Sequence, residues 1–317
     1  MPRISVLVPT YKPRVAHLRE ALDRLLVQTE TDWECIICDE PTDTDTALIL
    51  EPYLQDPRFR YERNQKCLGI GGNWNHALSL ATAPVIAYLF QDDLWEPDYL
   101  ATALKIFAEN PSVGFISLQH EYRYDDDLWT RDGYELVQEV KKQIAPGRHA
   151  GRAFLRWWLE RNMHPNVIGE PPFVVMRREV TEEVGPFNEH MPQFLDVEYW
   201  LRCLLVTDWY FESASHGAFR VHADAASALN NASGTGLYDR LTVFAMLIRG
   251  LDGDLRKVAV ASRNRSVEDM VGKFFNRVRK GKGVSRTGSG KVVNFALMHP
   301  FIMGKAVARA IFKRGIR

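Results

Sequence analysis

Cysteine is scarce, four in 317 residues, and no second Cys/His pair at ligand spacing follows the lone Cys35-x-x-Cys38. That leaves neither a disulfide framework nor a zinc module to read. Cys35 and Cys38 lie inside an apparent strand, where a three-residue offset turns them to opposite faces. They read as buried, reduced thiols, as do Cys67 and Cys203. A secretory hydrophobic region is also missing: after Pro2-Arg3 the apolar run of residues 4–8 is too short for one. A cytoplasmic protein is expected. Residues 292–312 are apolar but broken by Asn294, His299-Pro300, Lys305 and Arg309, short of the roughly 18 uninterrupted apolar residues of a membrane span. Acidic side chains are absent from residues 271–317, which hold twelve Lys and Arg. The remaining 270 residues therefore set 28 basic side chains against 40 acidic ones, and the formal neutrality averages two unlike parts. A basic end of this kind suits an anionic partner. Without interleaved aromatics on a recognisable module, no nucleic acid is expected; an anionic membrane surface, reached from the cytoplasmic side, ranks first. An interfacial helix or helix pair and a helix packed on the rest of the chain both remain open for residues 292–312.

What is present has the composition of an ordinary folded soluble protein, 46% hydrophobic and 25% charged. Strand and helix signals alternate through the first half. Residues 4–9 form a short apolar run closed by Pro9, and residues 17–28 place Leu18, Ala21, Leu22, Leu25 and Leu26 on one helical face. Strands follow at 33–38, 58–62, 85–90 and 113–118, with helices over 42–54, 72–81 and from Pro97 onward. Such alternation predicts an α/β fold with a mainly parallel sheet flanked by helices. Residues 120–150 are polar and rich in Asp and Tyr and are read as a long loop bordering a site. Residues 173–176 are a further strand, 194–205 a helix, and 209–212 with 217–221 a hairpin-like edge. Beyond residue 224 the pattern turns helical, with a basic linker over 280–290.

In open parallel sheets ligands bind beyond the carboxyl ends of the strands, so the polar residues there are the ones to inspect. Asp39 ends the second strand, Asp92-Asp93 the fourth, and Asp196 lies at the front of a later helix. Transfer from a nucleoside diphosphate needs the leaving charge offset, and a divalent ion held by a carboxylate is a common means. An acidic pair at a strand-to-helix turn can equally be a solvated cap.

Several motifs occur in order. Val8-Pro9-Thr10-Tyr11 closes the first strand, with Lys12 where Asn is usual. Cys38-Asp39-Glu40-Pro41-Thr42 closes the second. Leu68-Gly69 and Gly72-Asn73-Trp74-Asn75-His76-Ala77 come next, then Phe90-Gln91-Asp92-Asp93-Leu94. Later come Gly185-Pro186-Phe187-Asn188-Glu189 and Leu195-Asp196-Val197-Glu198-Tyr199-Trp200-Leu201-Arg202. Over residues 3–224 this ordered set resembles family 2 of the glycosyltransferases, which have the GT-A fold. The resemblance implies an inverting, metal-dependent glycosyltransferase that takes a sugar from a nucleotide-sugar donor, UDP or dTDP favoured, to a hydroxyl of a glycan or lipid-linked acceptor. Together with the basic end it implies work in surface polysaccharide biosynthesis. It assigns Pro9, Thr10, Tyr11, Asp39, Asn75 and Asp92 to the donor, with Asp39 accepting from the base. Asp93 would hold Mn²⁺ or Mg²⁺, with His222 as a further ligand or a structural residue. Asp196 would be the general base, with Glu198 second and a helix cap the plainer alternative. Glu170, on an acceptor wall over residues 166–173, and Trp200 would face the acceptor, although core packing is the stronger default for Trp200.

The expected divisions are a GT-A catalytic domain over 1–224, a helical extension over 225–280 and a basic amphipathic tail over 281–317. Gly69-Ile70-Gly71-Gly72 does not make a dinucleotide-binding oxidoreductase, because the third glycine of that fingerprint would fall at Trp74. Gly288-Ser289-Gly290-Lys291 lacks the strand and the Ser/Thr of a phosphate-binding loop. A degenerate homologue that only binds sugar or scaffolds a membrane complex is the non-enzyme alternative; it predicts loss of Asp93 or Asp196, and both are present.

Overall fold

The computed structural model describes residues 1–125, 131–191, 193–222, 239–279 and 293–312. The chain divides into two compact units. The first comprises Met1–Phe154, Pro165–His190 and Leu195–Ala223; the second comprises Leu155–His164, Met191–Phe194 and the described part of Asp224–Arg317.

The first unit is built on a nine-stranded sheet. Its leading half is parallel: β1 (Ile4–Thr10) pairs with β2 (Trp33–Asp39) on one side and β4 (Val85–Tyr88) on the other, and β3 (Phe59–Arg63) adds to β2. Every residue of β1 and β4 is buried, as continuous apolar runs must be when helices cover both faces. The covering helices are α1 (Val15–Leu26), the short α2 (Thr46–Leu50), α3 (Gly69–Leu80) and α4 (Tyr99–Glu109). On α1 the buried residues are Leu18, Ala21, Leu22 and Leu25, as the spacing predicts, while Leu26, expected on the same face, is exposed.

The trailing half is mixed. β8 (Val174–Arg177) runs antiparallel between β4 and β6 (Val113–Tyr124), β9 (Asp208–Val221) lies parallel to β6, and β5 (Leu94–Trp95) and β7 (Gly147–His149) flank β9 antiparallel. Two expectations are corrected here. Residues 120–150 are not one long loop: β6 continues to Tyr124 with a half-alternating burial pattern, and α5 (Arg131–Lys141) and β7 follow. Asp126 and Asp127 lie outside the described residues. Residues 209–221 are not an edge hairpin but one strand inside the sheet, whose pairing with β6 is interrupted by register shifts. The helices α6 (Gly151–Glu160), α7 (Arg178–Val184) and α8 (Leu195–Val206) complete the described chain up to β9.

The second unit has its own apolar cluster. α9 (Asp239–Gly250), α10 (Gly253–Arg279) and α11 (Pro300–Phe312), with the residues between α10 and α11 that include Phe295, bring together Leu241, Val267, Met270, Val271, Phe295 and Ala306. Residues 293–298 form a helical stretch that stops at His299, before Pro300 opens α11, the position at which a missing N–H costs least. Among the described residues no helix is long and apolar enough to cross a membrane.

Candidate active site

The carboxyl ends of β1 and β2 meet in a hydrogen-bonded floor. Asp39 is fully buried and accepts from three hydroxyls: Thr10 Oγ1 at 2.7 Å, Thr46 Oγ1 at 3.1 Å and Tyr61 at 3.1 Å. Both of its carboxylate oxygens are thus bonded to protein hydroxyls. Pro9 and Thr10 are likewise buried, and Tyr11 is the one exposed residue of the three, at 55%. Asn73 ties the same strand ends, donating to the carbonyls of Thr10 and Cys38, and Asn64 donates to Asn73. Lys12, at the place of the usual Asn, holds a left-handed φ of 46°.

Beyond β4 the chain turns through Gln91, Asp92 and Asp93. Gln91 clamps Tyr11 from both sides, accepting from its N–H at 2.9 Å and donating to its carbonyl at 3.1 Å. Asp93, expected to hold the metal, is the more deeply enclosed of the two acids. The Asp93 carboxyl is 2% exposed and accepts from the Arg220 N–H at 2.9 Å. Burial pushes its pKa well above the usual carboxylate range, and repulsion from Asp92 and Glu170 adds to the rise. Asp92 is the acid beside His222, with Oδ2 3.3 Å from His222 Nε2 and Oδ1 3.4 Å from His17 Nδ1. Burial raises its pKa, but hydrogen bonding and charge from His222 and His17 outweigh that and hold it below the ordinary value. The ligand atoms of His17, Asp92 and His222 all lie within 4.8 Å of one another. Two imidazoles and one carboxylate are a donor set that fits a divalent cation, and His222 Nδ1 is buried with no protein partner among the described residues.

Arg220, 5% exposed, locks this turn. Besides its N–H on Asp93, its side chain donates to the Asp92 carbonyl, to Asp125 at 3.3 Å and to Glu20 at 2.7 Å. Gly217 permits the approach of β5: a Cβ there would meet the Leu94 carbonyl at 2.2 Å.

Asp196 stands in the first turn of α8. Its Oδ1 accepts from the Val197 N–H at 2.7 Å and its Oδ2 from Asn166 Nδ2 at 2.8 Å. Burial pushes its pKa up to about 7; those hydrogen bonds pull it down and repulsion from Glu170 adds to the rise. A carboxyl poised there is matched to proton transfer near neutrality. Glu198 is spent in a bidentate pair with Arg202, both contacts at 2.9 Å, and is 4% exposed, which removes it as the second base. Glu170 lies close enough to both Asp93 and Asp196 for its charge to raise each of them. Its own carboxylate lies 3.1 Å from His120 Nε2 and accepts from the Tyr122 hydroxyl at 3.3 Å.

Two assignments are corrected by packing. Trp200 is fully buried, stacks on Phe115 and donates to the Gly169 carbonyl at 3.0 Å, so it positions the wall rather than facing an acceptor. Asn75 spends its amide on Phe187 and Glu189, pinning the turn before α8 instead of touching a donor. Sequence patterning assigns no role to His17 or Arg220, whereas Gln91 stands in the acidic motif and Asn166 opens the segment read as an acceptor wall. Of the first two, His17 alone left a signal: it sits in the first turns of the helix after β1, which point toward the carboxyl edge of the sheet.

The sheet with its acid-bearing turns is the GT-A type of α/β fold, and the solved structures bear this out. The staphylococcal TarS fragment 1–349 in complex with UDP-GlcNAc superposes with a TM-score of 0.62 at 14% identity, covering 98% of this chain and 80% of that one. A mannosyltransferase from Pyrobaculum calidifontis in complex with GDP-Man and Mn²⁺ gives 0.60 at 17% identity, over 98% and 86%. Residues 5–185, more than half of the chain, match the sequence model of Glycosyl transferase family 2, and the chain belongs to that family. The uncharacterized protein MT1568 of Mycobacterium tuberculosis is 31% identical over 204 residues, 64% of this chain and 62% of that protein. The chain thus spans less than two thirds of that relative's length.

Proposed function

We propose that this chain is an inverting glycosyltransferase acting on a nucleotide-sugar donor, UDP- or dTDP-linked, with Asp196 as general base. The observation that carries the reading is the Asp196 carboxyl, oriented by Asn166 and the Val197 N–H, with its pKa near 7; the His17, Asp92 and His222 donor set supports a bound cation. The solved neighbours that hold UDP-GlcNAc or GDP-Man support the donor class. Asp196 takes the proton of an acceptor hydroxyl as that oxygen attacks the anomeric carbon; the bond from that carbon to the diphosphate breaks, and the configuration inverts. A divalent cation, Mn²⁺ or Mg²⁺, held by Asp92 and His222 would neutralise charge on the departing diphosphate. Asp93, which the family resemblance assigned to the metal, supports the turn through Arg220. Tyr11 presents an exposed ring for the nucleoside, and Glu170 borders the acceptor.

A panel of UDP-, dTDP- and GDP-sugars, with and without Mn²⁺ and read by binding and donor hydrolysis, tests this. Preference for a uracil or thymine donor that needs the cation and vanishes in Asp92→Asn is expected. Equal turnover without metal, or none of the donors bound, overturns it. The acceptor is proposed to be a glycan or lipid-linked hydroxyl in surface polysaccharide assembly. The second unit supports a membrane surface for that work: Val293, Leu297, Met298 and Phe301 are 57%, 75%, 62% and 87% exposed, within the segment that carries twelve cations and no acid.

A further inference from the structure

A cation that arrives with its nucleotide needs only one or two protein ligands, because diphosphate oxygens and waters supply the rest. Here three side chains from distant parts of the sequence converge: His17 from α1, Asp92 from the turn after β4, and His222 just after β9. The distances from Asp92 to the two rings, 3.3 and 3.4 Å, are long for hydrogen bonds. They match the edges of a coordination shell: ligands at about 2.0–2.2 Å from one ion lie roughly 3–3.6 Å apart at cis or tetrahedral angles. The ring centroids are 5.9 Å apart with planes at 64°, so the two imidazoles approach edge-on rather than stacked. A second observation concerns the far side of His17. Its Nε2 lies 3.5 Å from Asp125 Oδ2, and Asp125 is itself held by Arg220 at 3.3 Å. A carboxylate behind an imidazole fixes the tautomer that leaves the other nitrogen, here Nδ1, bare toward a metal.

We infer that His17 is a third protein ligand, making a resident site that binds a transition-metal dication before any nucleotide arrives and discriminates against Mg²⁺. The inference rests on the transferase reading for its purpose but not for its chemistry. Mg²⁺ prefers oxygen and gives up water reluctantly, whereas imidazole suits Zn²⁺ and the later first-row dications; Mn²⁺ is the weakest binder of that series and so the most stringent probe of the site. Three protein ligands leave the remaining positions of a six-coordinate ion for diphosphate oxygens and water.

The test uses MnCl₂ alone on the full chain, by titration with electron paramagnetic resonance and by electron spin echo modulation from ligand nitrogen. One Mn²⁺ is expected to bind without nucleotide, with modulation from two histidine nitrogens, and a tenfold excess of Mg²⁺ is expected not to displace it. His17→Phe should lose one nitrogen and weaken Mn²⁺ at least tenfold while the far-ultraviolet circular dichroism is unchanged. If that variant does not fold, the wild-type nitrogen count decides. Binding of Mn²⁺ only after UDP is added, or a single nitrogen in the wild type, overturns the resident site while leaving the proposed transferase intact. Absence of Mn²⁺ binding both with and without UDP overturns the inference and the metal-dependent reading together.

Discussion

Lys12 adopts a left-handed backbone conformation next to Tyr11, in the position that the family motif gives to Asn. A non-glycine residue there costs roughly 1–2 kcal/mol, and Asn tolerates it better than Lys because its short amide can bond locally. Lys12→Asn should therefore raise stability by up to about 1 kcal/mol, seen as a higher urea midpoint with an unchanged slope. An unchanged or lower midpoint would show that the Lys12 side chain earns its place by a contact of its own. With Asp196 as the proposed base and its pKa raised to about 7, transfer should climb with pH through about 7 and fall about tenfold per unit below it. Glu170 contributes to that rise by repulsion, so Glu170→Gln should move the acid limb to lower pH. A limb that stays in place assigns the elevation to burial alone. At this scale the sequence was a partial guide. Asp196 stands where the motif puts it, whereas the hold on Asp92 and Asp93 comes from Arg220, 128 and 127 residues away, which no local pattern reports.

The elements around the site depend on one close strand approach. β5 reaches β9 at Gly217, which pairs with Trp95, and the same strand then delivers Arg220 and leads to His222. Gly217→Ala would drive a methyl into the Leu94 carbonyl and the Phe173 ring, at 2.2 and 2.8 Å. A loss of about 1–3 kcal/mol is expected, with weakened Mn²⁺ binding, measured by thermal unfolding and metal titration. Wild-type values for both would mean that β5 does not position the site. The strands with continuous apolar runs, β1, β2 and β4, were legible because burial on both faces leaves a plain signature. The extension of β6 and the helix α5 were hidden by polar and aromatic composition. Gln119, His120 and Tyr122 look like loop residues until they are seen bonded to Lys141, Gln138 and Glu170. Two-residue β5 has no periodicity to read.

For the whole molecule, charge and apolar exposure concentrate at one end of the sequence. Replacing Leu297 and Phe301 with Glu should abolish flotation with anionic vesicles while leaving donor binding by the first unit unchanged. Flotation equal to wild type would remove the membrane proposal. The catalytic account makes a sharper demand, that the carboxylate of Asp196 serves chemistry and not recognition. The most direct measurement is donor binding and donor turnover side by side, at pH 8 with saturating Mn²⁺, for wild type and Asp196→Asn. Nucleotide-sugar affinity within twofold of wild type and turnover lower by about 10²–10⁴ are predicted. Turnover at the wild-type rate, or a loss wholly accounted for by weaker donor binding, would contradict the role given to Asp196.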